Sequence, residues 1–183
     1  MSAEDNRKNG MTIEESVKIC KILEKAGCDA IEVSCGTDED GMNTMRSKVM
    51  PMEAVFEYRE PCASFPKPLK QISLVAANLV NPLIKQPSPL ENFNIYNASV
   101  IKENVSLPVI VVGGIHRLDD METIIETGKA DCVSMCRPFI CEPNLAKKLK
   151  DGIQSEAKCV MCNYCCLVIE KGETKCLMGK IRK

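Results

Sequence analysis

Two groups of residues in this sequence have the types and spacing to do chemistry. The first is Cys159-x-x-Cys162-x-x-Cys165, followed at once by Cys166 and, further on, by Cys176. Four thiolates are the number an iron-sulfur cubane takes. Three from Cys159 to Cys165 can wrap one face of a cluster, with the fourth returning from the turn at 170–175. The doubled cysteine leaves the third ligand open between Cys165 and Cys166. Four thiolates also suit a tetrahedral zinc, and the tail can equally be read as reduced thiols without metal, because spacing alone does not choose the metal.

The second group is the pair Gly113-Gly114 together with Met135, Cys136 and Arg137. Val109 to Val112 is an unbroken β-branched run, as expected of a parallel strand covered on both faces. It stops at the glycine pair, where the absence of Cβ lets backbone N–H groups approach a ligand, and a phosphate is the usual guest of such a concavity. The next strand, Cys132 to Met135, delivers Cys136 and Arg137 to the same end of the sheet. Two adjacent strand-to-helix loops then converge on one anion, the arrangement found after the last two strands of a TIM barrel. The plainer alternative is a strand-helix-strand unit whose glycines serve only to turn the chain. His116, the single histidine, follows this pair and reads as a phosphate neighbour or a solvent-facing residue. No residue is assigned as catalytic acid, base or nucleophile.

The elements that position these groups follow from periodicity and caps. Thr12 to Ala26 reads as an amphipathic helix with a Thr12–Glu15 capping box, a face of Ile13, Val17, Cys20 and Ile22 or Leu23, and Gly27 as its stop. Asp29 to Ser34 is a strand closing on Cys35-Gly36. Thr37 to Pro89 is an irregular excursion broken by prolines, with a helix expected over Leu69–Leu83 from the spacing of Ile72, Val75, Ala76, Leu79, Val80 and Leu83. The methionines of this stretch are expected to be adaptable packing. A helix over Asn92–Asn104, with Phe93, Tyr96, Val100 and Ile101 on one face, feeds the glycine strand. Asp119 is expected to cap the helix carrying Met121, Ile124 and Ile125, which Gly128 ends, and Pro143 to Leu149 forms the last helix. Alternating strands and helices mean an α/β fold with a parallel sheet.

Composition narrows the class. The chain has 183 residues, 45 % of them hydrophobic, and a net charge of −1, enough for one real core and without the electrostatic footprint of a nucleic-acid binder. The segment from Met1 to Asn9 is polar, and no apolar run is long enough to span a bilayer, so a soluble cytoplasmic protein without a membrane partner is expected. Its twelve cysteines then point to metal ligation or free thiols rather than disulfides. Cys20, Cys28, Cys35, Cys132 and Cys141 are expected to be small buried apolar residues.

Residues 108–152 resemble the C-terminal part of the NADH:flavin oxidoreductases of the old yellow enzyme family. The stretch from Thr12 to Gly27 resembles the helix before the family's sixth strand, and Glu24 to Thr37 that strand and its turn. Here Cys35 stands where the family has the first glycine of Ser-Gly-Gly, and Cys136 also replaces a glycine. Residues 158–166 are similar to the cysteine motif of members related to 2,4-dienoyl-CoA reductase and trimethylamine dehydrogenase. The resemblance implies a partial (β/α)8 TIM barrel, strands six to eight, over 1–152 with the excursion at 37–89 over its mouth, and a cysteine-rich tail over 153–183. It implies an FMN phosphate held at Gly113, Gly114, Met135, Cys136 and Arg137, with NAD(P)H as co-substrate and an activated alkene or similar electron acceptor as substrate. A [4Fe-4S] cluster on the tail would relay electrons to or from the flavin. A whole barrel needs eight strands and about 250 residues. The chain is therefore expected to be the C-terminal part of a longer protein, or one component of a barrel completed by a partner chain or a homo-oligomer; the other class is a non-catalytic metal-binding association module.

Overall fold

The structure is a computed structural model that describes residues 1–5, 7–37, 41–48, 50–169 and 172–178. Its centre is a three-stranded parallel sheet in the order β1 (Ile31–Val33), β2 (Val109–Val112), β3 (Cys132–Ser134). Ile31, Glu32 and Val33 lie opposite Val109, Ile110 and Val111, and Ile110, Val111 and Val112 opposite Cys132, Val133 and Ser134. The strands that the β-branched runs predict are thus parallel and in consecutive order. Asp131 pins the start of β2: one carboxylate oxygen accepts from the Val109 amide at 2.8 Å and the other from Lys102 at 2.6 Å.

The helix α1 (Ile13–Lys25) starts where the capping box places it, with Thr12 and Glu15 bonded reciprocally, and stops before Gly27 at φ +88°. Its buried side differs from the expected one. Ser16 and Cys20 are buried, with Ile13 and Val17 against the core, whereas Ile22 is 64 % exposed and Leu23 also reaches solvent. Ser16 takes its place because its hydroxyl donates to the Ala3 carbonyl at 2.6 Å.

That contact reveals something the sequence does not announce. Residues 1–3 run along the outer edge of β1, where the Ser34 amide donates to Met1 O and the Ala3 amide to Ser34 O, both at 2.9 Å. The β1 edge is therefore partly paired, and Ala3 is completely buried. A polar stretch of this length carries no strand pattern from which pairing could be read.

The excursion contains α2 (Gly41–Thr44), α3 (Met52–Tyr58) and α4 (Lys67–Val80), with short 3-10 turns at Cys62–Ser64 and Asn81–Leu83. The expected helix is present as α4 and its following turn, but its apolar face is not a core face. Ile72, Val75, Leu79, Val80 and Leu83 are each more than half exposed, and no α4 residue is buried. Periodicity identified the helix and not what covers it.

After it come α5 (Ile95–Lys102), α6 (Leu118–Glu126), α7 (Arg137–Cys141), α8 (Leu145–Lys150) and, in the tail, α9 (Tyr164–Val168). On α5 the buried residues are Asn97, Ala98 and Ile101, while Tyr96 points outward at 72 % exposure. On α6 the cap position is Arg117 rather than Asp119, which stands inside the first turn, where its charge still favours the helix N-terminus. Met121 and Ile124 are buried and Ile125 is exposed. Of the five cysteines expected in the core, Cys20 and Cys35 are buried, Cys28 and Cys141 are half-buried, and Cys132 is exposed. Cys132 opens the outermost of the described strands, so only one side of it has a neighbour.

The tail packs back onto this frame. Leu118 N donates to Ser155 O, Ala157 N to His116 O, and Ala157 joins the central core. No helix among the described residues is long and apolar enough to cross a membrane.

Candidate functional site

The ends of β2 and β3 open on one cavity of about 310 Å³. Gly113, Gly114, Met135, Cys136 and Arg137 all line it, so the structure brings together every residue assigned from sequence to the phosphate site. His116 and Cys166 share the wall, as do Ser34, Ser134 and Phe93. Neither serine was found from sequence, although each ends a strand whose neighbours were singled out.

The glycine pair is required here for a further reason. Gly113 has φ +142° and Gly114 φ +70°. A Cβ on Gly114 would stand 2.3 Å from Leu90 O, and one on Gly113 2.6 Å from Asn94 Nδ2. The segment before α5 lies against the pair: the Asn92 and Phe93 amides donate to the Gly114 and Gly113 carbonyls at 3.2 and 3.3 Å. The close approach of another backbone segment thus makes its own demand for glycine at these positions. Cys136, where the family has glycine, sits at φ −97°, which a side chain tolerates.

Arg137 is the charged group of the site. It donates to Arg46 O at 2.9 Å and to the Asn163 side-chain oxygen, and no carboxylate among the described residues pairs with it. Asn163, at φ +61°, in turn donates to Met45 O, so one asparagine of the cysteine motif ties the tail to the excursion and to the guanidinium. Sequence gave no sign of this role, because an asparagine between cysteines reads as a spacer.

His116 is buried at 4 % exposure, which corrects the solvent-facing option. Its Nδ1 has no partner, and burial first, then the Arg137 charge, push its pKa below the ordinary 6.5. A largely neutral ring is therefore expected at pH 7, and the imidazole signals in a pH titration by NMR are expected to show a midpoint below 6.5. A midpoint at or above that value would contradict the burial.

On the other side of Arg137, Cys159, Cys162, Cys165 and Cys176 line a small apolar recess together with Ile140, while Cys166 turns to the glycine cavity. The Cys165 and Cys166 sulfurs are 3.9 Å apart. Their hydrogen bond, then burial, pushes the Cys165 thiol up, and Cys166 is lowered by the same bond and by Arg137. Burial raises Cys159, and burial followed by a hydrogen bond with Cys176 pushes Cys141 up to about 12. Among the described residues no three His, Cys, Asp or Glu side chains stand close enough to hold a metal ion as placed. The donor types suit a thiophilic metal, and the thiols share a recess without being gathered into a ligand set. Glu170 and Lys171, in the turn expected to bring back the fourth ligand, lie outside the described residues.

Residues 19–156 match the NADH:flavin oxidoreductase / NADH oxidase family. The chain belongs to this family. It is 31 % identical over 168 residues to an NADH oxidase of Thermoanaerobacter brockii, covering 91 % of this chain and 20 % of that protein. It is 27 % identical over 177 residues to a 4,4'-dithiodibutanoate disulfide reductase of Rhodococcus erythropolis, covering 95 % of this chain and 41 % of the relative. A solved 2-naphthoyl-CoA reductase, in complex with 2-naphthoyl-CoA, superposes with a TM-score of 0.64 at 19 % identity, over 97 % of this chain and 22 % of that one. The family member described here therefore spans a fifth to two-fifths of the length of these relatives, and its α/β fold is shared with the reductase structure.

Proposed function

We propose that this chain forms the C-terminal part, strands six to eight, of an FMN-dependent NAD(P)H oxidoreductase barrel, in which residues 1–152 supply the phosphate end of the flavin site and residues 153–183 a cysteine site for a [4Fe-4S] cluster. The observation that carries it is the convergence of Gly113, Gly114, Met135, Cys136 and Arg137 on one cavity at the carboxyl ends of two neighbouring parallel strands. An uncompensated guanidinium and an unpartnered buried imidazole nitrogen in that wall suit a ligand that brings negative charge and hydrogen-bonding groups. Bound FMN supplies hydride acceptance and donation, while the chain's residues hold its phosphate and exclude water around it. The cluster would rest on Cys159, Cys162 and Cys176 with Cys165 or Cys166, beside the flavin cavity, and would pass single electrons.

The test is anaerobic reconstitution of the chain with FMN, iron and sulfide, followed by flavin fluorescence and metal assays. Binding of FMN is expected, weakened roughly tenfold or more in Arg137→Ala, together with about four iron and four sulfide per chain that fall away in Cys176→Ser. Cys165→Ser and Cys166→Ser tell the third ligand apart. A protein that takes up neither flavin nor iron sinks this reading. The exposed apolar stripe of α4 favours a second one, a metal-binding association module, whose signature is tight zinc and a stable assembly without flavin.

A further inference from the structure

We propose that a second cavity, which shares Phe93 as a wall with the first, is a binding site for a small α-amino carboxylate. It measures about 300 Å³ and is lined by Glu4, Cys35, Asn43, Arg46, Asn94 and Asn97 among others, a polar set at the small end of the range for small-molecule sites.

Three observations carry it. Asn94 is 1 % exposed, and its amide orientation is fixed because Nδ2 donates to Val112 O at 2.5 Å. Its Oδ1 is consequently an acceptor, buried and without a partner, and such an atom calls for a donor from whatever fills the cavity. Arg46 is held before any ligand arrives. Its Nε donates to Asn43 O at 3.2 Å, its Nη1 to Pro89 O at 2.8 Å, and its guanidinium stacks 4.2 Å from the Phe93 ring centre. No carboxylate among the described residues neutralises it. A guanidinium immobilised on carbonyls and a ring loses little freedom on taking a carboxylate. The third observation is Glu4 in the same wall. A lone carboxylate would meet repulsion from Glu4, and a lone amine repulsion from Arg46. A molecule carrying both charges suits both, its carboxylate on Arg46 and its ammonium on Glu4 and the Asn94 oxygen.

None of the flavin-phosphate residues lines this cavity, so the proposal stands or falls separately from the flavin reading. Calorimetric titration of the flavin-free full chain with L-alanine, propionate and 2-aminopropane tests it. Propionate lacks the ammonium and 2-aminopropane lacks the carboxylate. Alanine is expected to bind at least roughly tenfold more tightly than either. Arg46→Gln should remove its advantage over 2-aminopropane, and Glu4→Gln, an exposed position that leaves the fold intact, its advantage over propionate. Equal binding of all three probes, or no binding of any, overturns the proposal and leaves the cavity to water.

Discussion

Gly114→Ala is expected to destabilise the chain by on the order of 4 kcal/mol, whereas Gly128→Ala costs only about 1–2 kcal/mol. The two glycines have nearly the same backbone conformation, φ +70° and φ +67°. The left-handed region penalises a side chain alike at both. Their surroundings differ. At Gly128, in the turn after α6, an added Cβ meets nothing within 4 Å, while at Gly114 it would stand 2.3 Å from Leu90 O and 2.8 Å from Glu91 Cα. Both obstacles are backbone, so relief requires the 90–92 segment to move, and that segment is tied to the pair by the Asn92 and Phe93 amides. Displacing it would also shift Phe93, which walls both cavities. Urea unfolding of the two variants, with slopes matching the parent, measures the difference. If Gly114→Ala lies within about 0.5 kcal/mol of Gly128→Ala, the close approach of the two backbone segments is not as tight as described.

The same pair shows how far the sequence could be read. A β-branched run ending in two glycines gave the strand, its end and the convergence with Arg137, because these depend on local pattern and on the geometry of parallel sheets. What lies against the glycines was not legible. The Leu90–Asn94 segment comes from earlier in the chain and carries no pattern that names Gly114 as its neighbour. The apolar spacing on α4 and the outward Ile22 and Tyr96 make a related point: periodicity reports that a helix has an apolar side, and the burial of that side depends on long-range packing. The pairing of residues 1–3 with β1 and the clasp of Asn163 on Arg137 were invisible for the same cause, since each joins positions far apart in the chain. His116 shows the complementary limit. Its chain position allowed a phosphate neighbour or a surface residue, and only its burial in the cavity wall removes the second.

Glu142→Gln is expected to cost about 3 kcal/mol at neutral pH and to loosen the start of the cysteine tail before the rest of the fold. The carboxylate is buried at the end of α7 and works only as an acceptor. Lys148 Nζ donates to it at 2.8 Å, the Lys158 amide at 2.7 Å and Gln154 at 3.2 Å, which joins α8 to the residue preceding Cys159. Burial alone would push this carboxyl up, but those three donors outweigh it and hold the pKa at about 2 instead of 4.5. A group depressed in this way stabilises the fold fully above its unfolded value. Its contribution is lost as pH falls from 4.5 toward 2. The glutamine amide keeps one acceptor and turns a second donor toward groups that are donors already, leaving the Lys148 charge without its partner. The gap between parent and variant in urea unfolding should therefore be widest at pH 7 and shrink to about half or less by pH 3, where the carboxyl is protonated in the unfolded parent while the folded one is still largely ionised. Limited proteolysis of the variant at pH 7 should cut first beside Lys158. A gap of constant size across that pH range would show that packing, and not the charge on Glu142, fastens the tail.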